Sequence, residues 1–252
     1  MSRKTILAVT VALVAALVLS SVAYAITIVV DGIREAAWNG SGGQIPGSVT
    51  DVNDPAITDG YDLQTFQWTN DTSNMYFLIS TWANTITTGF PNPTIVICLN
   101  TDNNTATGGS YANCNNMTGI DRSISIDLVT HSVTVFNGAP GGPTIAGANN
   151  SATQTNITEV SVPLSSLGFV SAATCPPVMP TAVYFDNGII DPDDRVPNAG
   201  TVNTNCGTPT AVTLSSLQAQ PTTSPVLPVA LVGISAVALI GVVLFARRRK
   251  TA

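Results

Sequence analysis

The feature that most constrains the fold is a series of short apolar and β-branched runs along residues 26–217. The runs read ITIVV, QTFQWT, MYFLISTW, TIVICL, RSISIDL, SVTVF, ITEVSVPL and TAVYFD, and clusters of Asn, Gly, Asp and Pro separate them. Runs of this length and composition are typical of β-strands, and helical periodicity is nearly absent. The sequence therefore predicts an all-β domain, an antiparallel sandwich or barrel.

Two hairpins can be read directly from these runs. QTFQWT and MYFLISTW flank a polar turn at residues 70–74, which would place Phe66 and Trp68 on one face of the sheet. RSISIDLVTHSVTVF predicts a second hairpin that turns near His131. We expect His131 to be a solvent-exposed turn residue.

The first 25 residues have the layout of a secretory signal peptide. Arg3 and Lys4 precede an apolar stretch that ends in Ala23-Tyr24-Ala25. Small residues on either side of Tyr24 predict cleavage after Ala25 and argue against an uncleaved anchor. We therefore expect the following domain, residues 26–217, to be exported.

The opposite end of the sequence predicts a membrane anchor. Residues 226–246 carry no charge, and a helix of this length would span a hydrocarbon core of ~30 Å. The basic residues in the tail, 247–252, predict a cytoplasmic C-terminus, and residues 218–225 form a Pro/Thr/Ser-rich stalk. A buried core helix and a transpeptidase sorting signal are the alternatives. Val229 follows Leu227-Pro228, so a Leu-Pro-x-Thr-Gly sorting motif is not present.

The predicted exported segment is strongly acidic. It contains Arg34, Arg122 and Arg195 as its basic residues, against all fifteen acidic residues of the chain, for a formal charge of −12. Such a surface repels nucleic acid and anionic lipid and attracts divalent cations. We therefore expect no nucleic-acid partner.

Four cysteines, Cys98, Cys114, Cys175 and Cys206, lie in this segment. An even number in an oxidising compartment predicts two disulfides, and four cysteines permit three pairings. We favour Cys98 with Cys114 and Cys175 with Cys206, because each pair closes a local loop. A zinc site is the alternative, but the chain has no Cys-x-x-Cys spacing and a single histidine.

Four segments in order resemble the family 9 carbohydrate-binding modules and the wider DOMON-like superfamily. They are ITIVVDGIREAAWNG, YDLQTFQWTNDTSNMYFLIST, IVICLNTDNNTATGG and ITEVSVPLSSLGF. The resemblance implies a jelly-roll-like β-sandwich of about nine or ten strands. It also implies that Ile26, Ile28 and Val30 form an edge strand, that Asp31-Gly32 makes a turn, and that Trp38 plugs one end of the sandwich.

Two acidic loops are the strongest chemical signal in the sequence. The first loop, SVTDVNDPAITDGYDL, contains four Asp and one Asn within twelve residues. Hard oxygen ligands at this density suit Ca²⁺, which takes ~6 to 8 oxygens. A polar loop with Asx turns explains the same residues, and the sequence leaves both interpretations open. The later segment FDNGIIDPDDRVPNAG, which carries Asp186, Asp191, Asp193 and Asp194, would share one ion with the first loop if the two fold together. The candidate metal ligands are Asp51, Asn53, Asp54, Asp59, Asp62, Asp186 and Asp191.

Sugar binding requires exposed aromatic rings that stack on the faces of a pyranose. The resembled family holds its sugar with a pair of tryptophans, and the candidates in this chain are Trp38, Trp68 and Trp82. Trp68 and Trp82 fall in predicted strands, where core packing is the more common role. Exposed indoles would favour sugar binding, and buried indoles would favour a structural role.

A catalytic constellation is not evident. The single histidine falls in a turn, no Gly-x-Ser-x-Gly motif occurs, and adjacent loop carboxylates are usually structural or metal-binding. We therefore predict a non-catalytic, membrane-anchored extracellular module that binds carbohydrate, such as an envelope glycan, and is stabilised by Ca²⁺. A structural or adhesive cell-envelope protein without a small-molecule ligand is the alternative, since one fold hosts both functions.

Overall fold

The computed structural model describes residues 28–40, 47–55, 57–58, 60–86, 92–187 and 194–206. Short 3-10 turns at Ala36–Asn39, Leu164–Leu167 and Ala172–Thr174 accompany the strands. The strands of this part of the chain are β1 (Gly47–Thr50), β2 (Leu63–Asn70), β3 (Asn74–Thr81), β4 (Thr94–Leu99), β5 (Gly109–Tyr111), β6 (Met117–Ile120), β7 (Arg122–Asp127), β8 (Val133–Asn137), β9 (Thr144–Ile145), β10 (Asn150–Gln154), β11 (Ile157–Pro163), β12 (Met179–Asp186), β13 (Asp194–Val196) and β14 (Val202–Thr204).

Two antiparallel sheets pack face to face around one core. Sheet A has the order β1-β2-β3-β11-β10, and sheet B has the order β13-β12-β4-β7-β8-β9, with β14 also paired to β12. Buried side chains of both sheets form the core, among them Phe66, Phe77, Ile97 and Phe185. The predicted all-β antiparallel sandwich is thus confirmed. The described residues contain fourteen strands rather than nine or ten, because several short pairings such as β9 and β14 have no sequence signal.

The β2–β3 hairpin forms as the sequence predicts. Leu63–Asn70 pairs with Asn74–Thr81, and the Asp71 carboxylate accepts hydrogen bonds from the Ser73 and Asn74 amides across the turn. Phe66 and Trp68 share the core face, with ring centroids 5.5 Å apart. This hairpin supplies the centre of sheet A.

The β7–β8 hairpin is also confirmed. Arg122–Asp127 pairs with Val133–Asn137, and the Asp127 carboxylate accepts hydrogen bonds from the Val129 and Thr130 amides in the connecting turn. His131 is exposed in that turn and has a φ of 57°.

Both predicted disulfides are present. Cys98, in β4, is bonded to Cys114 in the loop before β6. Cys175 is bonded to Cys206, which lies just after β14. The described residues contain no free cysteine.

The N-terminal residues 28–40, which we call the strap, lie on the outer face of sheet A. Ile28 and Trp38 pack against Tyr76 and Leu78, which alternate along β3 with side chains that face the core. Ile28 and Val30 therefore belong to the strap and not to an edge strand, while Ile26 lies outside the described residues. Trp38 covers a sheet face and does not plug an end of the sandwich. Asp31-Gly32 does form a turn, in which Gly32 has a φ of 81° and the Asp31 carboxylate accepts a hydrogen bond from the Ile33 amide.

Several predicted features fall outside the described part of the chain. They are the signal peptide, the stalk, the apolar span at 226–246, the basic tail, Asp59 and Asp191. Within the described ranges, the helices are too short to cross a membrane.

Candidate functional site

The first acidic loop is built between β1 and β2. Asp62 is fully buried at the start of β2, and its carboxylate accepts a 2.8 Å hydrogen bond from the Asp54 amide. Asp51 follows β1, and its Oδ1 accepts a hydrogen bond from the Val52 amide. The other oxygen, Oδ2, is buried without a hydrogen-bond partner among the described residues. Asn53 is exposed.

Asp194 joins this loop from the late segment of the chain. It begins β13, is buried, and its Oδ2 accepts a hydrogen bond from the Leu63 amide. The pKa of the Asp194 carboxyl is raised to about 7, chiefly by burial and also by the charges of Asp62 and Asp51, while hydrogen bonds from backbone amides oppose the rise. The late segment therefore does fold against the first acidic loop.

The remaining candidate metal ligand in the described residues is Asp186. It is partly exposed at the end of β12, opposite Thr94 of β4. We call Asp51, Asp54, Asp62 and Asp194 the acidic cluster. These carboxylates are hard oxygen donors of the kind that calcium prefers, and Asp51 Oδ2 is buried without a hydrogen-bond partner among the described residues. The three carboxylates of the described chain whose oxygens lie within 4.8 Å of one another are found elsewhere, under the strap.

The three candidate tryptophans have different environments. Trp38 is 1% exposed, and its indole Nε1 donates a 2.7 Å hydrogen bond to Glu159 Oε1. Trp68 is 5% exposed in the core, and its Nε1 donates to the Asn205 side chain. Trp82 is 37% exposed. Stacking on a sugar requires an exposed ring face, which Trp82 offers and the two buried indoles do not.

Trp82 lies directly beside the acidic cluster. It follows β3, and its backbone amide donates a 2.9 Å hydrogen bond to the carbonyl oxygen of Asp62. The preceding residue, Thr81, exchanges hydrogen bonds with Asn156: the Thr81 amide donates to the Asn156 carbonyl, and the Asn156 side-chain amide donates to the Thr81 carbonyl. An exposed indole, an amide side chain and buried carboxylates therefore share one end of sheet A.

A second group of carboxylates lies under the strap. The carboxylate oxygens of Asp31, Glu35 and Glu159 lie within 4.8 Å of one another. Glu159, in β11, is fully buried. Its Oε2 accepts hydrogen bonds from the Asp31 and Gly32 amides, at 3.1 and 3.0 Å.

Sequence reasoning did not single out Glu159. The available signal is a lone ionisable residue within the apolar run ITEVSVPL, where alternation places it on the face of β11 opposite to Val160 and Val162. The strap that covers that face is separated from Glu159 by 121 residues at Trp38, and no local pattern encodes such a contact.

Comparisons with known proteins give little further guidance. No family model matches this chain, and no curated protein matches it. A solved structure that does match is a family 9 carbohydrate-binding module from Caldicellulosiruptor kristjanssonii in complex with cellotriose. The two are 13% identical, with a TM-score of 0.37, over 74% of this chain and 94% of that chain. This likeness is too distant to support an inference about what this chain binds.

Proposed function

We propose that this chain is an exported, membrane-anchored and non-catalytic module that binds carbohydrate beside a calcium ion. The observation that carries the proposal is the contact between Trp82 and Asp62. The exposed indole is tied through its backbone to a residue whose carboxylate belongs to the acidic cluster. An ion held by the cluster would therefore fix the end of sheet A from which the indole projects.

The calcium part of the proposal is supported by the electrostatic repulsion within the acidic cluster, which is unfavourable without a cation. Asp194 and Asp62 are buried, and each retains negative neighbours. A divalent ion offsets such repulsion and favours the ionised carboxylates. Asp51, Asp62 and Asp194 would hold the ion, and its role would be structural.

The carbohydrate part is supported by the chemistry around Trp82. A partly exposed indole supplies an apolar face for the C–H groups of a sugar ring. The Asn156 side chain, whose amide donates to the Thr81 carbonyl, lies at the same end of sheet A and carries an oxygen that can accept a hydroxyl. Burial of Trp38 and Trp68 favours the alternative, a structural envelope protein, because it leaves one exposed indole among the three candidates.

Thermal melts of the purified full-length chain test both parts. We expect calcium to raise the melting temperature relative to EDTA, and soluble oligosaccharides such as cellotriose to raise it again. A ligand at ~100 times its dissociation constant stabilises by about 2.7 kcal/mol, which is a shift of a few degrees.

Two variants separate the calcium site from the sugar site. Asp51→Asn should abolish the calcium shift, and Trp82→Ala should abolish the sugar shift while it keeps the calcium shift. Asp102→Asn, in the loop before β5, is the matched control and should behave as the wild type, since its carboxamide oxygen can still accept the Asn104 amide. If calcium has no effect on the wild type, the metal proposal is wrong. If no glycan binds, the structural alternative is favoured.

A further inference from the structure

The attachment of the strap converges on one carboxylate of sheet A. Glu159 accepts hydrogen bonds from the backbone amides of Asp31 and Gly32 and from the indole of Trp38. Two of these donors lie at residues 31–32 and the third lies at Trp38, near the end of the strap. Loss of Glu159 as an acceptor would therefore release most of the strap from sheet A. The Trp38 carbonyl adds one contact, a 3.3 Å hydrogen bond from the Gln67 side chain.

Negative charges outnumber positive charges around Glu159. Two carboxylates, Asp31 and Glu35, lie within 4.8 Å of it, and Glu35 Oε2 is buried without a hydrogen-bond partner among the described residues. Arg34 is the nearby cation and is attracted by Glu159, but burial lowers the pKa of its own guanidinium. Three carboxylates so close together cannot all ionise without a large electrostatic cost.

The strands next to Glu159 supply no positive charge to offset these carboxylates. β2, β10 and β1 contain no ionisable side chain, and β3 contains Tyr76 alone. The Tyr76 hydroxyl donates a 2.7 Å hydrogen bond to Asp71, and burial together with this carboxylate raises the pKa of Tyr76 to about 12. Among the described residues, the charge balance at Glu159 is therefore set by Asp31, Arg34 and Glu35 of the strap itself.

We propose that the strap is a pH-sensitive latch, which protonation of Glu159 fastens onto sheet A and ionisation of Glu159 loosens. A proton on Glu159 removes one of three like charges that lie within 4.8 Å of one another. Loosening would uncover Tyr76 and Leu78 on the face of sheet A that Ile28 and Trp38 now cover. The latch acts apart from the acidic cluster and Trp82, and it goes beyond the proposed function.

The direction of the pH dependence follows from the environment of the carboxyl. The pKa of Glu159 is raised from 4.5 to about 7, chiefly by burial and also by the charge of Glu35, while the hydrogen bonds from Asp31, Trp38 and Gly32 oppose the rise. A group whose pKa is raised on folding stabilises the folded form fully below its unfolded value. That contribution is lost as the pH rises through the folded value. The strap should therefore be held most firmly below about pH 4.5 and loosen around pH 7.

Hydrogen exchange of the full-length chain in EDTA tests the latch. Protection factors for the strap amides, corrected for the intrinsic effect of pH on exchange, are measured from about pH 5.5 to 8.5. We expect strap protection to fall on the order of tenfold across this range. Peptides from β4 and β7 report global unfolding, and their protection should fall less than that of the strap.

Two variants decide whether Glu159 is responsible. Glu159→Gln should give strap protection that no longer changes with pH. Glu35→Gln, at a half-buried position, keeps all three donors on Glu159 and should reduce the pH dependence, which covers the case in which Glu159→Gln does not fold. Asp102→Asn, remote in sequence and exposed, should leave the wild-type profile. The proposal is wrong if the wild-type strap shows no pH dependence beyond that of β4 and β7. It is equally wrong if Glu35→Gln and a folded Glu159→Gln both keep the full wild-type dependence.

Discussion

Trp38 and Trp82 are the residues for which identical substitutions should have the most different effects. Trp38→Ala removes a buried indole and leaves Glu159 Oε1 without its donor, so we expect a loss of about 3–5 kcal/mol in the free energy of unfolding. Trp82→Ala removes a partly exposed ring and should change stability by less than about 0.5–1 kcal/mol. Urea denaturation of both variants measures the difference. Equal losses would contradict the assignment of Trp38 to packing and Trp82 to the surface.

Asp194 should make stability depend on pH in opposite ways with and without calcium. In EDTA the pKa of the Asp194 carboxyl is raised to about 7 in the folded state, so its protonated form stabilises the fold. That stabilisation is fully present below about pH 4 and is lost as the pH rises through 7. Asp194→Asn keeps an oxygen that can accept the Leu63 amide and removes the charge. It should therefore raise the melting temperature at pH 8 in EDTA by a few degrees.

The control for this prediction is the same pair of proteins at pH 5, where the wild-type carboxyl is protonated and the two melting temperatures should converge. Glu159 titrates in the same range and will leave part of the pH dependence in the variant. With calcium at pH 8 the order should reverse, because the ion requires the ionised carboxylate. A variant that is less stable than the wild type at pH 8 in EDTA would show that the hydrogen bond outweighs the repulsion.

At the residue level, a shared loop brings Asp54 to Asp62, so that contact is local in sequence. The burial of Trp38 depends on a sheet face formed more than thirty residues later, which the local sequence does not encode.

At the level of elements, the two disulfides should contribute unequally to stability. Cys98–Cys114 and Cys175–Cys206 span 16 and 31 residues, and the chain-entropy model gives about 3 and about 4 kcal/mol for such loops. Replacing each pair by alanines and measuring chemical denaturation should rank the Cys175–Cys206 loss as the larger. Reduction of the wild type in mild thiol is the control and should approach the sum of both losses. A larger loss for Cys98–Cys114 would mean that its burial, and not loop length, decides the effect.

Hairpins were the elements that the sequence predicted best. Both have a polar turn with an Asp that caps backbone amides, Asp71 in one and Asp127 in the other, between runs of clear strand composition. The first residues of the strap were predicted as an edge strand, and ITIVV has strand composition. Ile28 and Val30 are instead extended chain without ladder pairing, which shows that β propensity alone does not create a partner strand.

For the molecule as a whole, composition and spacing predicted an antiparallel sandwich or barrel, and the family resemblance implied the sandwich of two packed sheets. They were not sufficient to predict the sheet order, in which β11 lies beside β3 and β12 beside β4, because these pairings join segments about eighty residues apart. The candidate site depends on the same long-range pairings, since Asp194 reaches the first acidic loop through β13.

The scarcity of basic residues limits the sites at which a protease specific for arginine or lysine can cleave the chain. An enzyme that cuts after arginine or lysine would find only three bonds in residues 26–217. Arg122 lies within paired β7 and donates to the carbonyls of Ser166 and Asp121, while Arg195 lies within paired β13 and donates to the Asn113 carbonyl. Arg34 lies in the strap, outside both sheets. A trypsin-like nick should therefore fall first after Arg34, and the state of the strap would set how long the domain stays intact in the presence of such a protease.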